Sequence, residues 1–308
     1  MKRAIVMSLA APLALGACMV ISEDREPVRR MEIVQVERIV SQPAAASASV
    51  TTTAGVTIHR DVIYGRHDGM ATTYDVIKPA NANGAAVLYM VSGGWVSRWS
   101  APETRVQQFK PLLDKGITVI PVHHGSAPRF KVPEAHADVK RALRHVSLNS
   151  ADYGIDAKRL GVFGGSAGGH LSLMLGLNGD DGDPAAEDPV LRGPARVKSV
   201  VAYYPPVDLR RMTGPSDRFP ALDFPNAQAA GISPILFVDG KDPATLIVHG
   251  DADDLVPLSS GQSIHDALKT ANVKTSMVII KGGDHGFSEP THRAEAYAAM
   301  AKWFAENL

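Results

Sequence analysis

The sequence predicts an α/β protein in which a mostly parallel sheet is covered by helices on both faces. Three observations carry this expectation. From residue 56 onward, short apolar runs of strand length alternate with segments of helical period, and such alternation implies β–α–β crossovers. Several of the runs are continuously apolar, as strands buried on both faces are. The composition is 45% apolar and 21% charged, an ordinary globular balance, and 27 Gly and 21 Pro supply the turns that many short elements need.

The elements follow in order. VTIHRDVIYG (56–65) and ATTYDVIKPA (71–80) are β-rich runs joined through HDGM, where Asp68-Gly69 is a hairpin signal. AAVLYMVSGG (85–94) is a buried-type strand ending in glycines. APETRVQQFKPLLDKG has helical spacing, with Pro102 near its start and Gly116 closing it. ITVIPVHHG (117–125) is another buried strand. PEAHADVKRALRHV then places Ala135, Val139, Ala142, Leu143 and Val146 on one helical stripe. RLGVFG (159–164) reads as a strand and AGGHLSLMLGL (167–177) as a helix. VKSVVAYY, ATLIVHG and TSMVIIKG are three more strands, with helices at about 259–271 and 291–306. No internal repeat and no second core-sized unit interrupts the series, so residues 56–308 read as one domain.

Charge and cysteine usage narrow the functions. Lys+Arg and Asp+Glu are both 32, so a neutral chain offers no bulk field for nucleic acid, and we expect no such partner. The single cysteine, Cys18, excludes an internal disulfide framework and a cysteine-based zinc site. Residues 1–18, MKRAIVMSLAAPLALGAC, begin with Lys2 and Arg3 and continue in an apolar run shorter than the roughly 20 residues a membrane span takes. Leu15-Gly16-Ala17-Cys18 resembles the lipobox of bacterial lipoproteins. The resemblance implies lipidation at Cys18, export, and a lipid anchor in the cell envelope, with Met19 after the cysteine pointing to the outer membrane. A plain secretory signal is the alternative. Residues 19–55, rich in small and polar residues, are expected to form a flexible tether.

The chemistry gathers in motifs at strand ends, where an open α/β sheet binds its ligands. FGGSAGGH (163–170) contains G-x-S-x-G, with a strand before it and a helix after it. A serine at such a turn is strained and exposed, and Gly164 and Gly168 let strand and helix pass close together. Ser166 is therefore the candidate nucleophile. KGGDHGFSEP (281–290) sets His285 in a glycine-rich loop after a strand, as a base that must reach across to a serine requires. LIVHGDADDLVP (246–257) ends a strand in an acidic loop holding Asp251, Asp253 and Asp254, one of which must orient the imidazole.

HG-D-x-D-x-x-VP followed by a G-x-x-HGF loop resembles the α/β-hydrolase superfamily. The resemblance implies an α/β-hydrolase fold with a mostly parallel eight-stranded sheet. In the esterase and lipase branches the acid is the second Asp of that loop, which maps onto Asp253; Asp251 and Asp254 then cap the turn or face water. YMVSGGWVSR (89–98) resembles the HGGG-type oxyanion loop of esterases related to hormone-sensitive lipase and of bacterial feruloyl-esterase-like enzymes. Ser92 stands where that family has His. The expected oxyanion donors are the backbone N–H groups of Gly94, Trp95 and Ala167, with Gly93 the alternative if the register differs by one. Trp95 is also expected to wall the pocket. His123-His124 stands where the family has tyrosine-arginine, and because side chains alternate along a strand the pair is not expected to bind metal. Asp138 is expected to anchor loops, and His170 and His249 to pack.

The long segment between VAYYPPVDL and ATLIVHG (about 210–243) carries Phe219, Leu222 and Phe224 and is expected to shape the substrate pocket, with Phe224 as a substrate contact. No cap-sized segment precedes residue 56, which favours small or medium esters. The resulting expectation is a serine carboxylic-ester hydrolase that needs no metal or cofactor. A peptidase of the prolyl-oligopeptidase type and a catalytically silent, lipid-anchored binding protein are the alternatives.

Overall fold

The structure, a computed structural model, describes residues 49–53 and 55–308. The expected signal segment, Cys18 and most of the expected tether lie outside the described residues. Among the described residues, nine strands form one sheet in the order β1-β2-β3-β5-β4-β6-β7-β8-β9. They are β1 (Val50–Thr53), β2 (Val56–His67), β3 (Met70–Pro79), β4 (Ala86–Met90), β5 (Thr118–Val122), β6 (Leu160–Gly165), β7 (Ser199–Tyr203), β8 (Ala244–Gly250) and β9 (Thr275–Ile280). Strands β5, β4, β6, β7, β8 and β9 are parallel neighbours, while β1, β2 and β3 enter as an antiparallel meander that joins β5.

The extra strand corrects the eight-strand expectation and the tether boundary. Val50–Thr53 pairs with Val56–His59 along its whole length. Its residues are β-branched, and β2 offers an unpaired edge, so extended pairing satisfies backbone groups that a free tether would leave to water. The small polar composition around it concealed this. Asp68 and Gly69 close the β2–β3 hairpin with φ 50° and 77°, the two left-handed residues that a twisted two-residue loop demands.

The helices are α1 (Val106–Leu113), α2 (Val132–Leu148), α3 (Ala167–Leu177), α4 (Leu258–Thr270) and α5 (Pro290–Asn307). Alternation along the strands divides the core between the two faces. Leu88 and Met90 of β4 face α2, α3 and α4 through Val139, Leu143, Leu171, Met174 and Ile264. Val87 faces α1 and α5 through Phe109, Met300 and Phe304. All five residues of the α2 stripe predicted from sequence are buried. Helix α3 is buried at nearly every position because it lies over the middle of the sheet.

Two imidazoles in this core make stability depend on pH. Burial lowers His136 from 6.5 to about 3 and His170 from 6.5 to about 4. Burial lowers His124, His145 and His249 as well. Between the folded value and 6.5 the unfolded chain binds more protons than the folded one, so stability rises with pH across that window and is complete above it. At pH 5, His136 and His170 are each expected to remove about 2 kcal/mol. Urea unfolding at pH 7.5 and pH 5 checks this: the midpoint falls at pH 5, and an unchanged midpoint contradicts the assignment.

Candidate active site

Ser166 occupies the one-residue turn between β6 and α3, with φ 53° and ψ −121°. A non-glycine residue there is strained, and such strain persists only when the surroundings fix it. They do: Ser166 N–H donates to the Tyr203 carbonyl at 3.0 Å, and the Ser166 carbonyl accepts from His170 N–H at 2.9 Å. The flanking glycines are required by contact distance. A Cβ on Gly164 would lie 2.6 Å from the Gly168 carbonyl, and one on Gly168 would lie 2.7 Å from the Met90 carbonyl.

His285 lies in the loop between β9 and α5, and its Nδ1 donates to Asp253 Oδ2 at 2.8 Å. The Asp253 side chain is fully buried. Its Oδ1 accepts the Leu255 and Val256 amides, each at 2.9 Å, so the carboxylate is held on both oxygens. A second imidazole supports it: His249 Nε2 donates to the Val256 carbonyl at 2.8 Å and sits 3.4 Å from Asp253 Oδ2. His249 was expected only to pack. Asp251 is exposed and accepts from the Gly282 amide, while Asp254 faces water. Of the three acids in the loop, the structure brings Asp253 to the imidazole.

Tyr204, which sequence reasoning did not single out, joins the elbow to the histidine loop. Its ring centroid lies 4.6 Å from that of His285, and its hydroxyl is 2.7 Å from where a Cβ on Gly165 would stand. The only signal was its place at the carboxyl end of β7. No hydrogen bond joins Ser166 Oγ to His285 among the described residues; such bonds are commonly loose before substrate binds.

The loop after β4 is a tight turn. Gly93 and Val96 exchange both backbone hydrogen bonds at 3.0 Å, with Gly94 and Trp95 at its tip at φ 57° and 58°. The Gly93 N–H is therefore committed, which removes it as the alternative oxyanion donor. Ala167 is the first residue of α3, where helix geometry leaves an N–H without an intrahelical acceptor. The loop is anchored despite the loss of the family's His: Ser92 Oγ donates to His124 Nε2 at 2.9 Å, and His124 Nδ1 donates to the Gly125 carbonyl at 2.8 Å. His123 turns elsewhere, toward Ser97 and Asp75. Asp138 accepts from the Gly125 amide at 2.7 Å and contacts His67 at 3.2 Å, anchoring loops as expected.

Two expected substrate contacts are corrected. The Trp95 side chain is not a pocket wall: the residue is 3% exposed, and its indole N–H donates to His170 Nδ1 at 3.3 Å. Phe224 is 8% exposed and packs in the core beneath the 210–243 segment. Phe219 lies beside the turn instead, with Cδ1 3.2 Å from where a Cβ on Gly94 would stand. A cleft of about 430 Å³ is lined by Ser97, Trp99, His124, Ser126 and Arg129 among others, and by neither Ser166 nor His285.

A strained elbow serine, a bonded imidazole–carboxylate pair and a paired glycine turn, all at the carboxyl edge of this sheet, define an α/β-hydrolase. The BD-FAE family profile matches residues 74–268, well over half of the chain, and the chain belongs to that family. Esterase LipQ of Mycobacterium tuberculosis is 29% identical over 219 residues, covering 66% of this chain and 50% of LipQ. The probable carboxylic ester hydrolase LipM of the same organism is 27% identical over 229 residues, covering 68% and 51%. The chain thus spans about half the length of the curated relatives it matches. Among solved structures, a truncated carbohydrate esterase from gut microbiota superposes with a TM-score of 0.69 at 26% identity, over 85% of this chain and 98% of that one. The acetyl ester-xyloside bifunctional hydrolase of Caldicellulosiruptor lactoaceticus shares the fold, with a TM-score of 0.69 at 23% identity over 86% and 98%.

Proposed function

We propose that the chain is a serine carboxylesterase acting on small or medium esters through an acyl-enzyme. The observation that carries this reading is the 2.8 Å bond between His285 Nδ1 and the buried Asp253 carboxylate. That bond leaves Nε2 as the free nitrogen, on the sheet edge that also presents Ser166. Membership of a family with esterase relatives supports it.

In the proposed reaction His285 Nε2 takes the proton of Ser166 as Oγ bonds to the ester carbonyl carbon. The carbonyl electron pair moves onto oxygen, where the N–H groups of Gly94, Trp95 and Ala167 receive it. The carbonyl re-forms, the C–O bond to the alcohol breaks, and His285 returns its proton to the leaving alkoxide. Water repeats the sequence and releases the acid. Asp253 keeps Nδ1 protonated throughout. The export and lipid anchoring read from residues 1–18 complete the proposal, with Cys18 the membrane attachment.

Hydrolysis of p-nitrophenyl acetate and labelling by a fluorophosphonate probe test the reading. Turnover and labelling together support it; neither signal, from a folded protein, rejects it. The Phe219 ring limits the space beside Gly94, so Phe219→Ala is expected to raise kcat/KM for octanoate relative to acetate roughly tenfold. A p-nitrophenyl ester series checks this, and an unchanged chain-length ratio contradicts it.

A further inference from the structure

His170 is buried directly behind the nucleophile turn, and its ring makes two hydrogen bonds with groups of fixed polarity. The Ile232 carbonyl, 2.7 Å from Nε2, can only accept, so Nε2 carries the proton. The Trp95 indole, 3.3 Å from Nδ1, can only donate, so Nδ1 is bare. The ring is thus held as one neutral tautomer, bridging the turn after β4 to the 210–243 segment. Its own amide is bonded to the Ser166 carbonyl at 2.9 Å.

The neighbours at both ends are themselves fixed. Ile232 ends the 3-10 turn Asn226–Ile232. Ser233, next in the chain, donates its hydroxyl to the Ala229 carbonyl and accepts from the Leu209 amide. Trp95 holds φ 58°, a conformation an aromatic residue adopts only when its surroundings enforce it. The Gly93–Val96 pair closes the turn at its base. Beyond that pair, Trp95 is held by core packing and by the indole–imidazole bond, the one directional contact its side chain makes among the described residues.

We propose that His170 is a positioning residue for ester hydrolysis: its neutral ring clamps the Trp95 indole and thereby holds the Gly94 and Trp95 amides where the oxyanion develops. This inference rests on the reading under Proposed function. It adds a residue that touches neither substrate nor the reacting atoms. It also explains why the Trp95 side chain is buried: the side chain serves as the anchor and the backbone as the donor. A displaced donor weakens a bond made in the transition state, so the loss belongs in kcat rather than KM.

The test compares full-length His170→Leu, His170→Gln and Trp95→Phe with the wild type on p-nitrophenyl acetate. Leu keeps bulk and loses both bonds; Gln offers an acceptor and a donor; Phe removes the indole N–H together with the five-membered ring that carries it, at a buried site. His170→Leu and Trp95→Phe are each expected to lower kcat about tenfold with KM changed less than about twofold. His170→Gln retains most of the rate, and the double variant is no worse than the worse single. Unchanged kcat in folded Trp95→Phe, or single losses that multiply in the double variant, overturns the clamp even where His170→Leu fails to fold. A wild type that hydrolyses no ester rejects the reading of the site instead. In that case ¹⁵N NMR of the imidazole still decides the bridge: a protonated Nε2 with a bare Nδ1 upholds it, and the opposite tautomer overturns it.

Discussion

Ser166→Ala is expected to lower kcat on p-nitrophenyl acetate by about 10⁴-fold or more, with the fold intact. Alanine differs by one oxygen atom, and it keeps a Cβ at the strained turn, so the bonds to Tyr203 and His170 survive. What disappears is the atom proposed to form the acyl bond. The remaining groups can still bind an ester and polarise it, which leaves a residual rate over water rather than none. Steady-state kinetics with a circular dichroism spectrum checks this. Retention of more than about one hundredth of the rate would mean that another group makes the acyl bond.

Asp253→Asn is expected to cost about 10⁴-fold in kcat. The amide has one accepting and one donating end, and the structure decides which goes where. The Leu255 and Val256 amides both point at Oδ1, so the carbonyl oxygen of Asn must stay there. The NH₂ then occupies the position of Oδ2, facing His285 Nδ1. That nitrogen must now accept, so the proton moves to Nε2 and the ring can no longer take one from the serine. His249 Nε2–H, 3.4 Å from that position, likewise meets a donor instead of an acceptor. Asp254→Asn, at an exposed site bonded to neither histidine, is expected to keep near-normal activity and serves as the control for which acid acts. Equal losses in both variants would contradict the assignment.

Much of this arrangement is legible in the chain because local rules specify it. The elbow declares itself through Gly164 and Gly168, where a Cβ would have no room, and through the strand and helix that flank Ser166. The α2 stripe and the apolar strands follow from period alone. What escaped reading depends on partners far apart in sequence or on irregular backbone. Ser92 and His124 replace one anchoring pair with another across 32 positions, so either residue alone looked like a departure. Phe219 and Phe224 sit in a segment of short 3-10 turns, which has no fixed period to say which ring faces the site. Strand β1 was concealed by a polar Thr run whose role is set by the free edge of β2. Trp95, expected to wall the pocket, is buried instead, and the acceptor that its indole N–H meets, His170, is 75 residues away.

The central claim is that Ser166 forms a covalent acyl bond driven by the His285–Asp253 pair. Treatment with a fluorophosphonate followed by peptide mass spectrometry tests it most directly. The account requires one adduct per chain, on the peptide holding Ser166, and strongly slowed labelling in Asp253→Asn. No adduct on folded protein, or an adduct on a different residue that persists in Ser166→Ala, would contradict it.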